Sequence, residues 1–155
     1  MAIDFDDATG QCSLTATTVT HWIQCTLEEA LHPTDIELAV RIVDADEGRQ
    51  LNAQYRDKDY ATNVLSFPAE IDLPEGPIIL GDLVLCWPVV ISEAAEQKKT
   101  VEQHSAHLIV HGTLHLLGRD HLHDEEAEVM EREEIGILQK LGYSNPYLSE
   151  EDDLT

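Results

Sequence analysis

HGTLHLLGRDH, running from His111 to His121, places two histidines four residues apart, a glycine three beyond the second, and a third histidine three beyond that. On an α-helix, positions i and i+4 lie one above the other, so His111 and His115 can address one ion from the same side. Gly118 tolerates the left-handed conformation that ends helices, which lets the chain fold back and bring His121 to the same point. Three neutral imidazoles with a fourth position open form the ligand set of a catalytic zinc site. A structural zinc is normally closed by four protein ligands, usually including thiolates, and no cysteine lies near this segment. Ordinary helix and loop histidines are the alternative reading. It suits one histidine better than three at this spacing.

The same spacing matches the metzincin protease pattern H-E-x-x-H-x-x-G-x-x-H, with one departure. Gly112 stands where a metzincin carries the glutamate that serves as general base. The metal cradle is kept and the peptidase's proton-transfer group is missing, which argues for a metal-assisted reaction with another proton acceptor.

Working outward, Thr100 with Gln103 three later makes a capping-box start, so a helix is expected from about Thr100 to Leu117. At about 100° per residue, His104, His107, His111 and His115 fall within an arc of roughly 80°. Ala106, Ile109, Val110, Leu116 and Leu117 occupy the opposite side. His104 and His107 are expected to support the ligands or the structure, since four histidine ligands would close the site. Downstream, Asp124 can cap a final helix with apolar positions Ala127, Met130, Ile135, Leu138 and Leu141, ended by Gly142. The acids of HDEEAEVMEREE read as that helix's solvated face, and those of SEEDDLT as a disordered tail.

Upstream, residues 11–17 suggest a first strand and residues 19–31 a helix, flanked by His21 and His32 as surface or capping residues. Residues 36–43 alternate as a strand, with Arg41 a surface charge, and Asp44 with Glu47 opens a helix through about Tyr55. A polar loop with Arg56 and Lys58 leads into a strand over Asn63–Phe67 that Pro68 ends. The segment EIDLPEGP, 70–77, reads as an exposed excursion. A strand over 79–87 follows, broken near its start at Gly81-Asp82, then a helix from Val89 to Lys99. The expected fold is one α+β domain over residues 1–148, a small mixed sheet of about four strands with the motif helix at its centre, and an acidic tail over 149–155.

At 155 residues, with 43% apolar and 26% charged residues, the chain is long enough for a real core without staples. The N-terminus MAIDFDDATG lacks the layout of a signal peptide. The apolar run from Ile78 to Ile91 is interrupted by Gly81, Asp82 and Pro88, so it does not span a membrane. Cys12, Cys25 and Cys86 are odd in number and far apart, which fits reduced thiols and a cytoplasmic location. Cys86 sits in an apolar run, as a small core residue does. The net charge of −22 opposes nucleic acid globally. A site is local, however, and Arg56 with Lys58, Lys98 with Lys99, and Arg119 within the motif are its candidate cations.

Three separated segments, NAQYRDKDYATNVLSFP (52–68), LGDLVLC (80–86) and HLIVHGTLHLLGRDH (107–121), resemble the YbeY endoribonucleases, bacterial factors of ribosomal RNA maturation. The resemblance covers roughly residues 35–147 and is specific in the order and spacing of the three segments. It implies that His111, His115 and His121 bind one zinc ion, that Arg56 matches a functional arginine, and that Asp82 matches an aspartate of partner contact. It further implies single-strand-specific RNA cleavage, maturation of the 16S rRNA 3′ end and ribosome quality control. The implied partners are the 16S rRNA precursor, the small ribosomal subunit and the GTPase Era. The family's usual motif has tyrosine where this chain has Arg119.

The chemistry is compatible. A histidine-bound zinc polarises a phosphoryl oxygen, and the planar fork of Arg56 suits charge developing on the non-bridging oxygens. From sequence alone, a surface pair of Arg56 with Asp57 or Asp59 and a turn before the strand at Asp82 are the favoured readings, and Asn63 and Ser66 either line the cleft or pack a strand edge. No general base is identified. Asp120 is a candidate, but an acid beside a ligand histidine more often orients an imidazole, and the nucleophile is water or a neighbouring 2′-hydroxyl. Two other functions stay open: a metalloprotease-like hydrolase whose base lies elsewhere than residue 112, and a non-catalytic ribosome-assembly factor stabilised by metal.

Overall fold

The computed structural model describes residues 2–30, 36–69, 78–118 and 124–147. Arg119, Asp120 and His121, together with His32, the 70–77 segment and the 149–155 tail, lie outside them. The elements follow as β1 (Ala2–Asp7), α1 (Ala16–Glu29), β2 (Ile36–Val43), α2 (Ala45–Arg56), β3 (Val64–Pro68), β4 (Ile78–Cys86), α3 (Trp87–Glu96), α4 (Val101–Leu116) and α5 (Asp124–Lys140). The strands form one sheet in the order β1-β2-β4-β3. β1, β2 and β4 run parallel, and β3 is antiparallel to β4. This is the mixed, four-stranded α+β arrangement expected.

Strict alternation builds the two faces of the sheet. Ile36, Leu38, Val40 and Ile42 of β2, with Leu83 and Leu85 of β4, join α1, α4 and α5 in the main core. On the opposite face Val43, Leu65, Val84 and Cys86 pack with Leu51 of α2. The caps fall where expected: Asp44 accepts from the Glu47 amide at 2.9 Å, and Thr100 accepts from the Gln103 amide at 3.0 Å. The reciprocal half of neither capping box forms, because Glu47 accepts from Arg41 Nε at 2.7 Å and Gln103 donates to Ser144 at 2.9 Å.

Two expectations need correction. The first strand is residues 2–7, not 11–17; residues 11–15 are irregular and end at Thr15, the N-cap of α1. Ile3 and Phe5 alternate with Asp4 and Asp6, a half-buried strand pattern that the acids disguise as a solvated terminus. Gly81-Asp82 does not break β4 either. The strand runs through, with a bulge at Leu80 opposite Glu37 and Leu38. Gly81 takes φ +134°, and a Cβ there would stand 2.1 Å from the Phe67 carbonyl oxygen, so only glycine allows β3 to pair across the bulge.

The motif helix α4 contacts α1, α3, α5, β3 and β4. Gly112 is the point at which it packs against Leu83, Ser66 and Val64 with no side chain of its own. A Cβ there would lie 2.7 Å from Leu83 Cδ2 and 3.3 Å from Ser66 Oγ. The missing side chain lets α4 settle against β3, which sets the imidazoles of the neighbouring turns beside that strand.

Candidate active site

Between α4 and the segment leading into β3 lies a cleft of about 470 Å³. Its walls include Arg56 from the end of α2, Asn63 and Ser66 from the β3 side, and His107, His111 and His115 from α4. Two segments quoted for the resemblance thus meet across one cavity. The third supplies Asp82, which faces the other side of the sheet.

His111 and His115 turn their Nε2 atoms toward each other at 3.1 Å, with ring centroids 4.6 Å apart. Nitrogens bound to one tetrahedral zinc at 2.0–2.1 Å are separated by about 3.3–3.4 Å, so this pair stands close to the spacing that a shared ion requires. Among the described residues no group of three or more His, Cys, Asp or Glu side chains is arranged to hold a metal; His121 is not one of them.

The state of His111 follows from its other nitrogen. Nδ1 meets Oε1 of Glu134 on α5, a carboxylate with 0% exposure. Burial pushes the Glu134 carboxyl up, and hydrogen bonds from His107, His111 and Tyr147 outweigh it, leaving the group at about 2. An ionised carboxylate only accepts, so Nδ1 of His111 donates to Glu134 and Nε2 is the nitrogen turned toward His115 and the cleft. This is the carboxylate–histidine arrangement by which proteins orient metal-binding imidazoles. The donor set therefore fits a cation at His111 and His115.

His107 Nε2 lies 3.3 Å from both Glu134 Oε2 and the Tyr147 hydroxyl, and its Nδ1 is buried with no hydrogen-bond partner among the described residues. His104, expected on the same face, is only 3% exposed and reaches Glu93 Oε1 at 3.0 Å. Burial pushes its pKa down despite that carboxylate. Asn63 donates to the same Glu93 oxygen at 3.0 Å, and Ser66 donates to the Gly112 carbonyl at 3.4 Å. Both residues are tied into the cleft wall. His104 and His107 thus hold the wall and do not point at the His111–His115 pair.

Arg56 is exposed at the mouth. Asp59, which the sequence offers as its surface partner, is taken by Arg49 at 2.7 Å. Asp57 forms the left-handed C-cap of α2 at φ 58°. Arg41, read as a plain surface charge, bridges Asp6 and Glu47. Asp82 is exposed within β4 and is not in a turn. It borders a groove of about 530 Å³ with Asp4, Asp6, Tyr55 and Phe67. That groove is the larger, but no imidazole lines it, so the smaller cleft is the candidate site.

The sequence reading missed Glu134 and Tyr147. Glu134 lies in the run that reads as a solvated acidic face, yet Met130, Glu134 and Leu138 share one buried stripe at i, i+4 spacing. An acid in the middle of that stripe is the signal that could have found it. Tyr147, beyond the last helix, has no local signal.

No helix among the described residues is long and apolar enough to cross a membrane. The family profile described as Endoribonuclease YbeY matches residues 4–142. The Endoribonuclease YbeY of Pseudomonas putida strain KT2440 is 48% identical over 99% of this chain and 97% of its own length. That of Cellvibrio japonicus is 53% identical over 83% of this chain and 72% of its own. The solution structure of TM1509 from Thermotoga maritima has the same fold, with a TM-score of 0.56 at 24% identity over 96% of this chain and 97% of that one. Endoribonucleases are hydrolases that cut RNA phosphodiester bonds, and this chain belongs to the YbeY endoribonuclease family.

Proposed function

We propose that the protein is a zinc-dependent, single-strand-specific endoribonuclease acting in the cytoplasm on the 3′ end of the 16S rRNA precursor, and so in ribosome quality control. The observation that carries this reading is the facing pair of Nε2 atoms, 3.1 Å apart, in the cleft that Arg56 also lines. His111 and His115, with His121 beyond the described residues, would hold one zinc ion. Zinc, when bound, supplies Lewis acidity toward a phosphoryl oxygen. Glu134 keeps the His111 proton on Nδ1, so the ligand nitrogen stays unprotonated. Arg56 at the mouth places a delocalised cation where the non-bridging oxygens gain charge. It offsets locally the field of a chain whose net charge is −22.

The metalloprotease alternative loses support from Gly112. The position of the metzincin base is packed against Leu83 and Ser66, which leaves no room for a carboxylate. The small ribosomal subunit and an Era-type GTPase are the proposed partners, with Asp82 their contact on the far side of the sheet. The domain is taken as residues 1–148, followed by the acidic tail 149–155.

The test is elemental analysis of purified protein together with cleavage of unstructured RNA, with and without chelator. One equivalent of zinc, cleavage stopped by chelator, and loss of cleavage in folded His111→Ala and Arg56→Ala variants are expected. Undiminished cleavage in those variants would remove the residues from the mechanism. A metal-bound protein that never cleaves RNA would favour the non-catalytic assembly role.

A further inference from the structure

Past Gly142, at φ +94°, the chain leaves α5 and runs back along α4 as a strap over residues 143–147. Three bonds tie it to the start of α4 and the turn before it. Tyr143 donates to Glu102 at 2.7 Å, Gln103 donates to Ser144 at 2.9 Å, and Lys99 donates to the Pro146 carbonyl at 2.7 Å. Tyr143 also meets Trp22 edge to face at 6.3 Å. The tied strap delivers Tyr147 into the cleft wall, its ring 5.3 Å from His107 and its hydroxyl donating to Glu134 Oε2.

The two oxygens of Glu134 therefore do different things: Oε1 takes the Nδ1 proton of His111, and Oε2 takes the Tyr147 hydroxyl. The terminal torsion of a glutamate is broad and roughly two-fold, so one bond leaves the carboxylate plane loosely set. His107 adds only a long contact of 3.3 Å to Oε2. A firm bond at each oxygen defines the plane and keeps Oε1 on His111.

We infer that Tyr147 is a positioning residue: through Glu134 it holds the His111 ring with Nδ1 protonated and Nε2 facing His115, so that the C-terminal strap completes the site. Its consequence for metal binding rests on the reading of His111 as a ligand; the positioning itself does not.

The test uses full-length protein freed of metal and compared with Tyr147→Phe, which keeps the ring and removes the hydroxyl. Ring-nitrogen correlation spectra, recorded where the imidazoles are neutral, report which nitrogen of His111 is protonated. Wild type should show the Nδ1-protonated tautomer alone, and Tyr147→Phe a mixture with the Nε2-protonated form. Zinc titrated against a chromophoric chelator should bind Tyr147→Phe about 10-fold more weakly, the lower end for loss of an outer-shell partner. The variant should stay folded, its melting temperature lowered by several degrees because a buried carboxylate oxygen loses its firm donor. Lys99→Met, which cuts a strap anchor and leaves Tyr147 intact, should shift both readouts the same way by less, and it decides the matter should Tyr147→Phe not fold. An unchanged tautomer in folded Tyr147→Phe, or in Lys99→Met where the first does not fold, overturns the inference. Wild type that binds no zinc would overturn the metal reading instead, with the tautomer still deciding the role of Tyr147.

Discussion

Glu134 on α5 and His111 on α4, 23 residues apart in sequence, share a hydrogen bond between a fully buried carboxylate and a ring nitrogen. Loss of the charge leaves His107, His111 and Tyr147 short of an acceptor. Glu134→Gln, nearly the same shape, should lower zinc affinity about 10- to 100-fold. It should also cost about 1–3 kcal/mol of stability, as an unsatisfied buried group does. Chelator competition and denaturant unfolding measure the two effects. Unchanged zinc affinity would separate Glu134 from the ion site.

Gly112 offers a steric prediction. Alanine there gains up to about 1 kcal/mol of helix propensity, but its Cβ overpacks Leu83, a change that typically costs about 1–3 kcal/mol. Gly112→Ala should therefore be neutral to mildly destabilising. Gly112→Glu must bury a charge against Leu83 and Val64 and should lose about 3–5 kcal/mol. It should show no peptide hydrolysis; a stable, proteolytically active Gly112→Glu variant would contradict the packing.

Arg56 is exposed, so its removal should leave unfolding unchanged within about 0.5 kcal/mol. RNA cleavage by Arg56→Ala should fall about 10²- to 10³-fold, the range for loss of one group that stabilises developing charge. Arg56→Lys should recover little, because a point charge does not reproduce the guanidinium fork. Single-turnover cleavage rates decide it, and full activity of the lysine variant would show that charge alone suffices.

His104 links stability to pH. Burial lowers its folded pKa below the ordinary 6.5, with Glu93 opposing and His107 and Lys99 adding to the shift. As pH falls through 6.5 the unfolded chain takes the proton first. Stability from this group is thus present above 6.5 and lost on the way down to the folded pKa. His104→Gln, which keeps a donor for Glu93 without titrating, should flatten that part of the curve in metal-free protein. Parallel wild-type and variant curves below pH 6.5 would count against it.

Asp82 and the histidine pair lie on opposite sides of the sheet, so reversing the charge at Asp82 should not reach the cleft. Asp82→Lys should cleave unstructured RNA at the wild-type rate and keep its stability within about 0.5 kcal/mol. Association with small ribosomal subunits should weaken. Co-sedimentation measures this, and equal co-sedimentation would remove Asp82 from partner contact.

Local pattern alone determined much of this protein. The period-2 run over Ile36–Val43, the caps at Asp44 and Thr100, and the glycines at 118 and 142 each act through neighbours a few residues away, and each appears in the structure. The i, i+4 spacing likewise sets His111 beside His115 without help from the rest of the fold. Tertiary structure decided what depends on distant groups. It placed Arg56 across the cleft, put Asp82 on the far face, turned Glu134 from an apparent surface acid into a buried acceptor, and brought Tyr147 to it. Burial and long-range hydrogen bonds arise only when separate elements pack together, so no window of neighbouring residues carries them.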